Sequence, residues 1–231
     1  MQIKTVPITP NNPRAIHKVE LLQRRWLSPN AFEIELTRPH GWAFKPGQTI
    51  CFLHESMERY YSLLSTPEDP TLRLCVYHIP QGSFSPVLAE AEVGAQFKVR
   101  GPHGYFTFTR SERAPVFVAT GTGIAPFVSM GRSGITDFIL LHEVEFVEDL
   151  YYQDLFRKIA SSYVPCLLKA SGTDPLPQGA FCGDAAGYLK QNLLPASYDF
   201  YLCGERDMTR EVTLLADEYF PGSYVFKEVF F

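Results

Sequence analysis

The sequence contains no apolar run near the length of a bilayer span, so no membrane-crossing helix is expected. It has no C-x-x-C pair, and its five cysteines, Cys51, Cys75, Cys166, Cys182 and Cys203, are odd in number. That pattern suits neither a disulfide framework nor a cysteine set for zinc or an iron–sulfur cluster, and no metal ligands are assigned. Reduced thiols in a cytoplasmic protein are the expectation. An excess of positive charge is also lacking. A net charge of −4 argues against a general nucleic-acid binder. Residues 1–13 lack the apolar stretch of a signal peptide and are expected to form a mobile lead-in. Nothing in the sequence fixes an oligomeric state.

What is present is ordinary globular composition. The chain has 231 residues, 45% of them hydrophobic, enough for one large domain or two small ones with real cores. Charge is uneven: residues 1–45 hold seven Lys and Arg against three Glu. Such a segment is either a solvated face or a surface that steers an acidic partner.

Short β-like runs dominate residues 14–110. Residues 16–22, 32–37, 49–54, 60–64, 72–79 and 97–100 are each bounded by Pro, Gly, Asn or Asp, which predicts a small antiparallel barrel. One of these runs is unusual. Arg59-Tyr60-Tyr61-Ser62-Leu63-Leu64-Ser65 places a cation, flat rings and hydroxyls within seven residues. Alternation puts Arg59 and Tyr61 on one face and Tyr60 and Ser62 on the other. A flat ligand bearing a phosphate would use Arg59 on the phosphate, Tyr61 on the ring and Ser62 at its edge. The same residues also suit a barrel strand with one snorkelling arginine. Further on, Gly82-Ser83-Phe84-Ser85-Pro86 reads as a capped helix start, with Ser85 as N-cap and the helix ending near Val93-Gly94. Its free N–H groups suit a pyrophosphate. His103, in Gly101-Pro102-His103-Gly104, reads as a surface turn residue.

The pattern changes across residues 111–231. Strand-like runs at 116–120, 138–142, 166–170, 200–203 and 224–229 alternate with helix-length runs at 124–130, 150–160, 185–193 and 208–220. That alternation predicts an α/β domain with a parallel sheet. Thr120-Gly121-Thr122-Gly123 sits where the first strand meets the first helix, a junction at which phosphates bind. Cys203 and Gly204 lie at the carboxyl end of the fourth strand, where open sheets bind ligands.

Arg59-x-Tyr61-Ser62-x-x-Ser65, Gly82-x-x-Ser85, the Thr120–Gly123 turn and Cys203-Gly204-x-x-x-Met208 occur in the order found in the ferredoxin–NADP reductase family, which the chain resembles from about residue 14 onward. The resemblance implies an antiparallel barrel binding FAD through Arg59, Tyr60, Tyr61, Ser62 and the Gly82, Ser83, Phe84 and Ser85 loop. It implies a second domain binding NADH or NADPH through Thr120, Gly121, Thr122, Gly123, Cys203, Gly204 and Met208. Hydride would pass from nicotinamide to flavin, then electrons singly to a separate carrier such as ferredoxin or flavodoxin. Ser62 would act near the flavin, Cys203 against the nicotinamide, and Glu228 on that hydroxyl or on the nicotinamide amide. Phe230 would cover the flavin, with Phe231 nearby. Alternatives are a reductase of free flavins or small acceptors, and a flavin-bearing subunit that docks on a larger enzyme. The chain departs from the family at His142-Glu143-Val144-Glu145, where Gly-x-Arg is usual, and at Ala170 and Ala180, where NADP-specific members carry arginine. Lys169 remains as the one evident cation for a 2′-phosphate, and NADH is expected to serve at least as well as NADPH.

Overall fold

The computed structural model describes residues 13–169 and 176–230. Its strands form two six-stranded sheets. The first comprises β1 (His17–Ser28), β2 (Ala31–Thr37), β3 (Thr49–His54), β4 (Met57–Ser62), β5 (Thr71–Tyr77) and β6 (Gln96–His103), in the order β4-β3-β6-β1-β2-β5. Every pairing in it is antiparallel. A bridge between Leu63 and Leu74 brings the two edges together into a barrel. Inward-facing residues such as Val19, Phe32, Ile34, Ile50, Leu74 and Val99 fill it. Helix α1 (Ser85–Glu90) plugs one end through Leu88.

The second sheet holds β7 (Ala114–Thr120), β8 (Ile139–Val144), β9 (Ser162–Leu167), β10 (Phe181–Cys182), β11 (Tyr198–Gly204) and β12 (Tyr224–Val229), all parallel, in the order β10-β9-β8-β7-β11-β12. All seven residues of β11 are buried, as a central parallel strand requires. Helices α2 (Ala125–Arg132) and α3 (Gln153–Ile159) pack against Phe117, Phe138 and Tyr201, while α4 (Ala185–Asn192) and α5 (Arg206–Tyr219) pack against Val116, Val118 and Phe200. On α5, Met208, Val212 and Ala216 recur at helical spacing and are buried.

Several elements differ from the sequence reading. Strand β9 begins at Ser162 and runs through Pro165, four residues ahead of the expected start. Pro165 is tolerated because β10 pairs with β9 only at Cys166 and Leu167, leaving β9 an edge where the proline N–H is missing. The two-residue β10 is too short to leave a periodic signal. Ser85 does not cap α1. Phe84 holds that position, and the Ser85 hydroxyl instead accepts from Ile79 N–H at 3.0 Å. Helix α1 ends at Glu90, earlier than expected. His103 is the half-buried last residue of β6, against the ring of Tyr60, and not a free turn residue.

The two sheets share one core. Ala31, Leu64, Cys75 and Phe106 from the barrel side pack with Phe117, Phe127, Phe138 and Tyr201. Buried polar contacts add to it. Ser28 and Tyr151 both donate to Asp149 Oδ1 at 2.8 Å, and Tyr152 donates to Glu33 at 2.8 Å. At the exposed rim Arg132 pairs with Asp69 at 2.8 Å, a contact that adds orientation without burial. Because unpaired buried polar groups are costly, the buried contacts specify one relative placement of the sheets.

Candidate active site between the two sheets

That placement brings three distant strand ends together. Ser62 ends β4, Cys203 lies near the end of β11, and Glu228 sits opposite Cys203 in the β11–β12 register. The Ser62 hydroxyl donates to Glu228 Oε1 at 2.9 Å. Burial pushes the Glu228 carboxyl above its ordinary range, and the Ser62 hydrogen bond opposes that shift. Burial, with Glu228 beside it, pushes the Cys203 thiol well up. Cys203 is therefore a neutral thiol and not an activated nucleophile. Phe230 donates its N–H to Gly204 O at 2.8 Å and packs against the core cluster that contains Cys203. Phe231 lies outside the described residues.

Beside this junction, Arg59 reaches across from β4 to the 82–85 loop. Its Nη2 donates to Ser83 Oγ at 3.0 Å and its Nη1 to Glu58 O at 2.9 Å. It forms no ion pair among the described residues and is exposed, so its charge is available to an anion. Tyr61 is half-buried, edge-on to Phe52 at 5.7 Å, with burial pushing its hydroxyl up to about 12. Tyr60 projects from the opposite face, donating to Glu58 at 3.1 Å. The Phe84 ring is buried among Phe52, His54 and Tyr61, which leaves its main chain as the part able to meet a ligand. Ser65 is structural: it accepts from Arg73 N–H at 2.7 Å and donates to Thr71 O at 3.0 Å.

The glycine turn after β7 is built against the end of β11. Thr120 Oγ1 accepts from Glu205 N–H at 2.7 Å. A Cβ on Gly204, at φ +138°, would lie 2.0 Å from Thr120 Oγ1, and one on Gly123 would lie 2.3 Å from Cys203 O. Both close approaches require glycine. Gly121, at φ +48°, has open space where a Cβ would be. His142 supports the turn from below, hydrogen-bonded through Nε2 to Gly121 O at 3.0 Å. Burial lowers its imidazole to about 4, so it is neutral and donates this bond.

Two expected ligand contacts are engaged elsewhere. Met208 lies on the buried face of α5, in the core. Lys169 is ion-paired with Glu145 and lies over the Phe146 ring at 5.5 Å. Ala170 and Ser171 lie outside the described residues. In the sequence His142 and Glu143 stand out only as departures from the family pattern, although polar residues at the end of a predicted central strand are a signal of a ligand edge. Arg206 and Arg210 line, with Lys227, a surface cavity of about 280 Å³ between α5 and β12.

This donor set fits a flavin dinucleotide. An unpaired guanidinium with an adjacent hydroxyl suits a diphosphate, and a half-buried aromatic beside a serine suits a flat polar ring. Residues 18–108 match the family model for an oxidoreductase FAD-binding domain, and residues 117–213 the model for an oxidoreductase NAD-binding domain. The chain is 33% identical over 156 residues to ferredoxin–NADP reductase B of Sorangium cellulosum, covering 62% of this chain and 64% of that protein. It is 34% identical over 167 residues to methane monooxygenase component C of Methylosinus trichosporium, covering 62% of this chain and 49% of that one. The chain thus spans less than two thirds of the length of either relative. A solved ferredoxin NADP+ reductase from Neisseria gonorrhoeae with bound FAD and NADP shares the fold, with a TM-score of 0.82 at 23% identity, covering 94% of this chain and 99% of that one. A barrel that is an FAD-binding domain, joined in this order to a parallel sheet that is an NAD-binding domain, belongs to the ferredoxin–NADP reductase-like family.

Proposed function

We propose that the protein is an NAD(P)H-dependent flavoprotein reductase of the cytoplasm that delivers electrons to a one-electron carrier such as ferredoxin or flavodoxin. The observation that carries this reading is the junction of Ser62, Cys203 and Glu228, contributed by both domains. FAD, when bound, supplies the exchange between a hydride taken as an electron pair and electrons given up singly. Arg59 and Ser83 would hold its diphosphate and Tyr61 one face of its ring. The Ser62 hydroxyl, its proton directed to Glu228, offers a preorganised acceptor lone pair at the reacting edge. Cys203, neutral and fully buried, offers a small apolar contact and no charge. The Thr120–Gly123 turn presents main-chain N–H groups to the dinucleotide phosphates. A carrier beyond these residues takes the electrons, because the cysteine spacing supplies no cluster ligands.

A second reading is a flavin-bearing subunit that docks on a larger enzyme and no longer uses nicotinamide itself. It is favoured by Glu143 and Glu145, which stand where the family has Gly-x-Arg, and by the pairing of Lys169 with Glu145. Steady-state assays with NADH or NADPH and added ferredoxin, flavodoxin or free flavin separate these readings. Nicotinamide-dependent reduction of a protein carrier, faster than of free flavin, supports the reductase. Turnover with free flavin alone supports a small-acceptor enzyme, and no nicotinamide oxidation with any acceptor supports the docking subunit.

A further inference from the structure

The carboxyl edge of the parallel sheet is more acidic than a phosphate-binding edge should be. Glu143, near the end of β8, lies in register between Thr120 of β7 and Cys166 of β9, beside the glycine turn. It is 8% exposed. One oxygen, Oε2, accepts from Ala185 N–H at 2.7 Å, at the start of α4. The other accepts from no described residue. Asp184 takes a second N–H of the same helix turn, from Gly187 at 2.6 Å. Two carboxylates thus occupy the helix end that would otherwise attract a phosphate. Asp184, Glu205 and Glu211 add negative field at Glu143. The nearby cation, Lys169, is neutralised by Glu145.

We infer that Glu143 is a specificity residue that selects the unphosphorylated dinucleotide, NAD(H), its free oxygen accepting from a ribose hydroxyl and its charge opposing the extra phosphate of NADP(H). In open α/β sheets that bind NAD, an acid about twenty residues beyond the glycine turn takes the ribose hydroxyl, whereas NADP sites carry an arginine nearby. Glu143 has that spacing from Gly123, on the strand next to β7. One carboxylate oxygen is engaged by the Ala185 N–H, and the second, with no partner among the described residues, is open to a ligand hydroxyl. This inference rests on the reading of this edge as the dinucleotide site.

The test is equilibrium binding of NAD+ and NADP+ to the FAD-loaded protein by isothermal titration calorimetry at about pH 8, above the raised value of the Glu143 carboxyl, and at constant salt. The wild-type protein is expected to bind NAD+ at least about tenfold more tightly than NADP+. Glu143→Gln keeps an acceptor for Ala185 N–H, removes the charge, and should narrow that preference about tenfold, with tighter NADP+ binding as part of the change. Glu143→Asp keeps the charge on a shorter arm. It should weaken NAD+ while still rejecting NADP+, and it serves where the Gln variant does not fold. A wild-type preference for NADP+, an unchanged ratio in folded Glu143→Gln, or unchanged NAD+ affinity in Glu143→Asp overturns the inference and leaves the reductase reading standing. Binding of neither dinucleotide by the wild-type protein overturns both.

Discussion

Glu143 also makes a quantitative prediction about stability. Its carboxyl is pushed from an ordinary 4.5 to about 7, first by burial, with Asp184, Glu205 and Glu211 adding to the shift and the Ala185 N–H opposing it. A carboxyl whose value is higher folded than unfolded contributes stability that is complete below pH 4.5 and is lost as the pH rises through about 7. A shift of that size is worth about 3 kcal/mol. His142, on the same strand, acts in the opposite sense. Burial lowers it from 6.5 to about 4, so its contribution is present above pH 6.5 and is lost as the pH falls towards 4. The two slopes oppose each other over most of that range, and the wild-type curve alone would hide both. Glu143→Gln removes one of them. The difference in unfolding free energy between variant and wild type should be near zero at about pH 4.5 and rise to about 3 kcal/mol in favour of the variant by pH 8. Urea unfolding at half-unit pH steps measures it. Parallel curves, or a variant less stable than wild type at pH 8, would show that Glu143 is not held ionised against its surroundings.

Other substitutions probe the remaining parts. Arg59→Ala removes charge-assisted hydrogen bonds worth about 1.5–3 kcal/mol, so FAD affinity should fall roughly tenfold to a hundredfold with little change in melting temperature; FMN or no flavin released on boiling would refute the diphosphate clamp. Cys203→Ala should slow flavin reduction roughly fivefold while FAD stays bound, and an unchanged rate would make Cys203 a packing residue only. Phe230→Ala should tighten nicotinamide binding by about two- to tenfold, because stacking of about 0.5–1.5 kcal/mol no longer competes. Lower thermal stability with unchanged affinity would assign Phe230 to the sheet edge instead.

Much of the fold is legible in the sequence because each sheet leaves its own period. Half-buried barrel strands alternate, whereas β7 and β11 are apolar runs followed by glycine. The reading slipped where tertiary context overrode a local signal. The expected run at 166–170 leaves out residues 162–165, which form the first part of β9 beside a partner too short to leave a signal. Ser85 resembled a cap until the Ile79 main chain competed for its hydroxyl. The candidate site follows the same division. Arg59, the Gly82–Ser85 loop and the Thr120–Gly123 turn are contiguous motifs and could be read. The Ser62–Glu228 bond joins residues from opposite ends of the chain and becomes definite only through the interface of Ser28, Asp149, Tyr152 and Glu33. The Lys169–Glu145 pair removes a cation that the sequence showed as available. Burial of Met208 turned a motif residue into core.

The most direct measurement is rapid anaerobic mixing of the purified, FAD-loaded protein with NADH, followed at the flavin absorbance near 450 nm. A nicotinamide site beside the Ser62, Cys203 and Glu228 junction predicts fast loss of that absorbance, dependent on NADH concentration and slowed in Cys203→Ala. Absorbance that persists with both NADH and NADPH would contradict it.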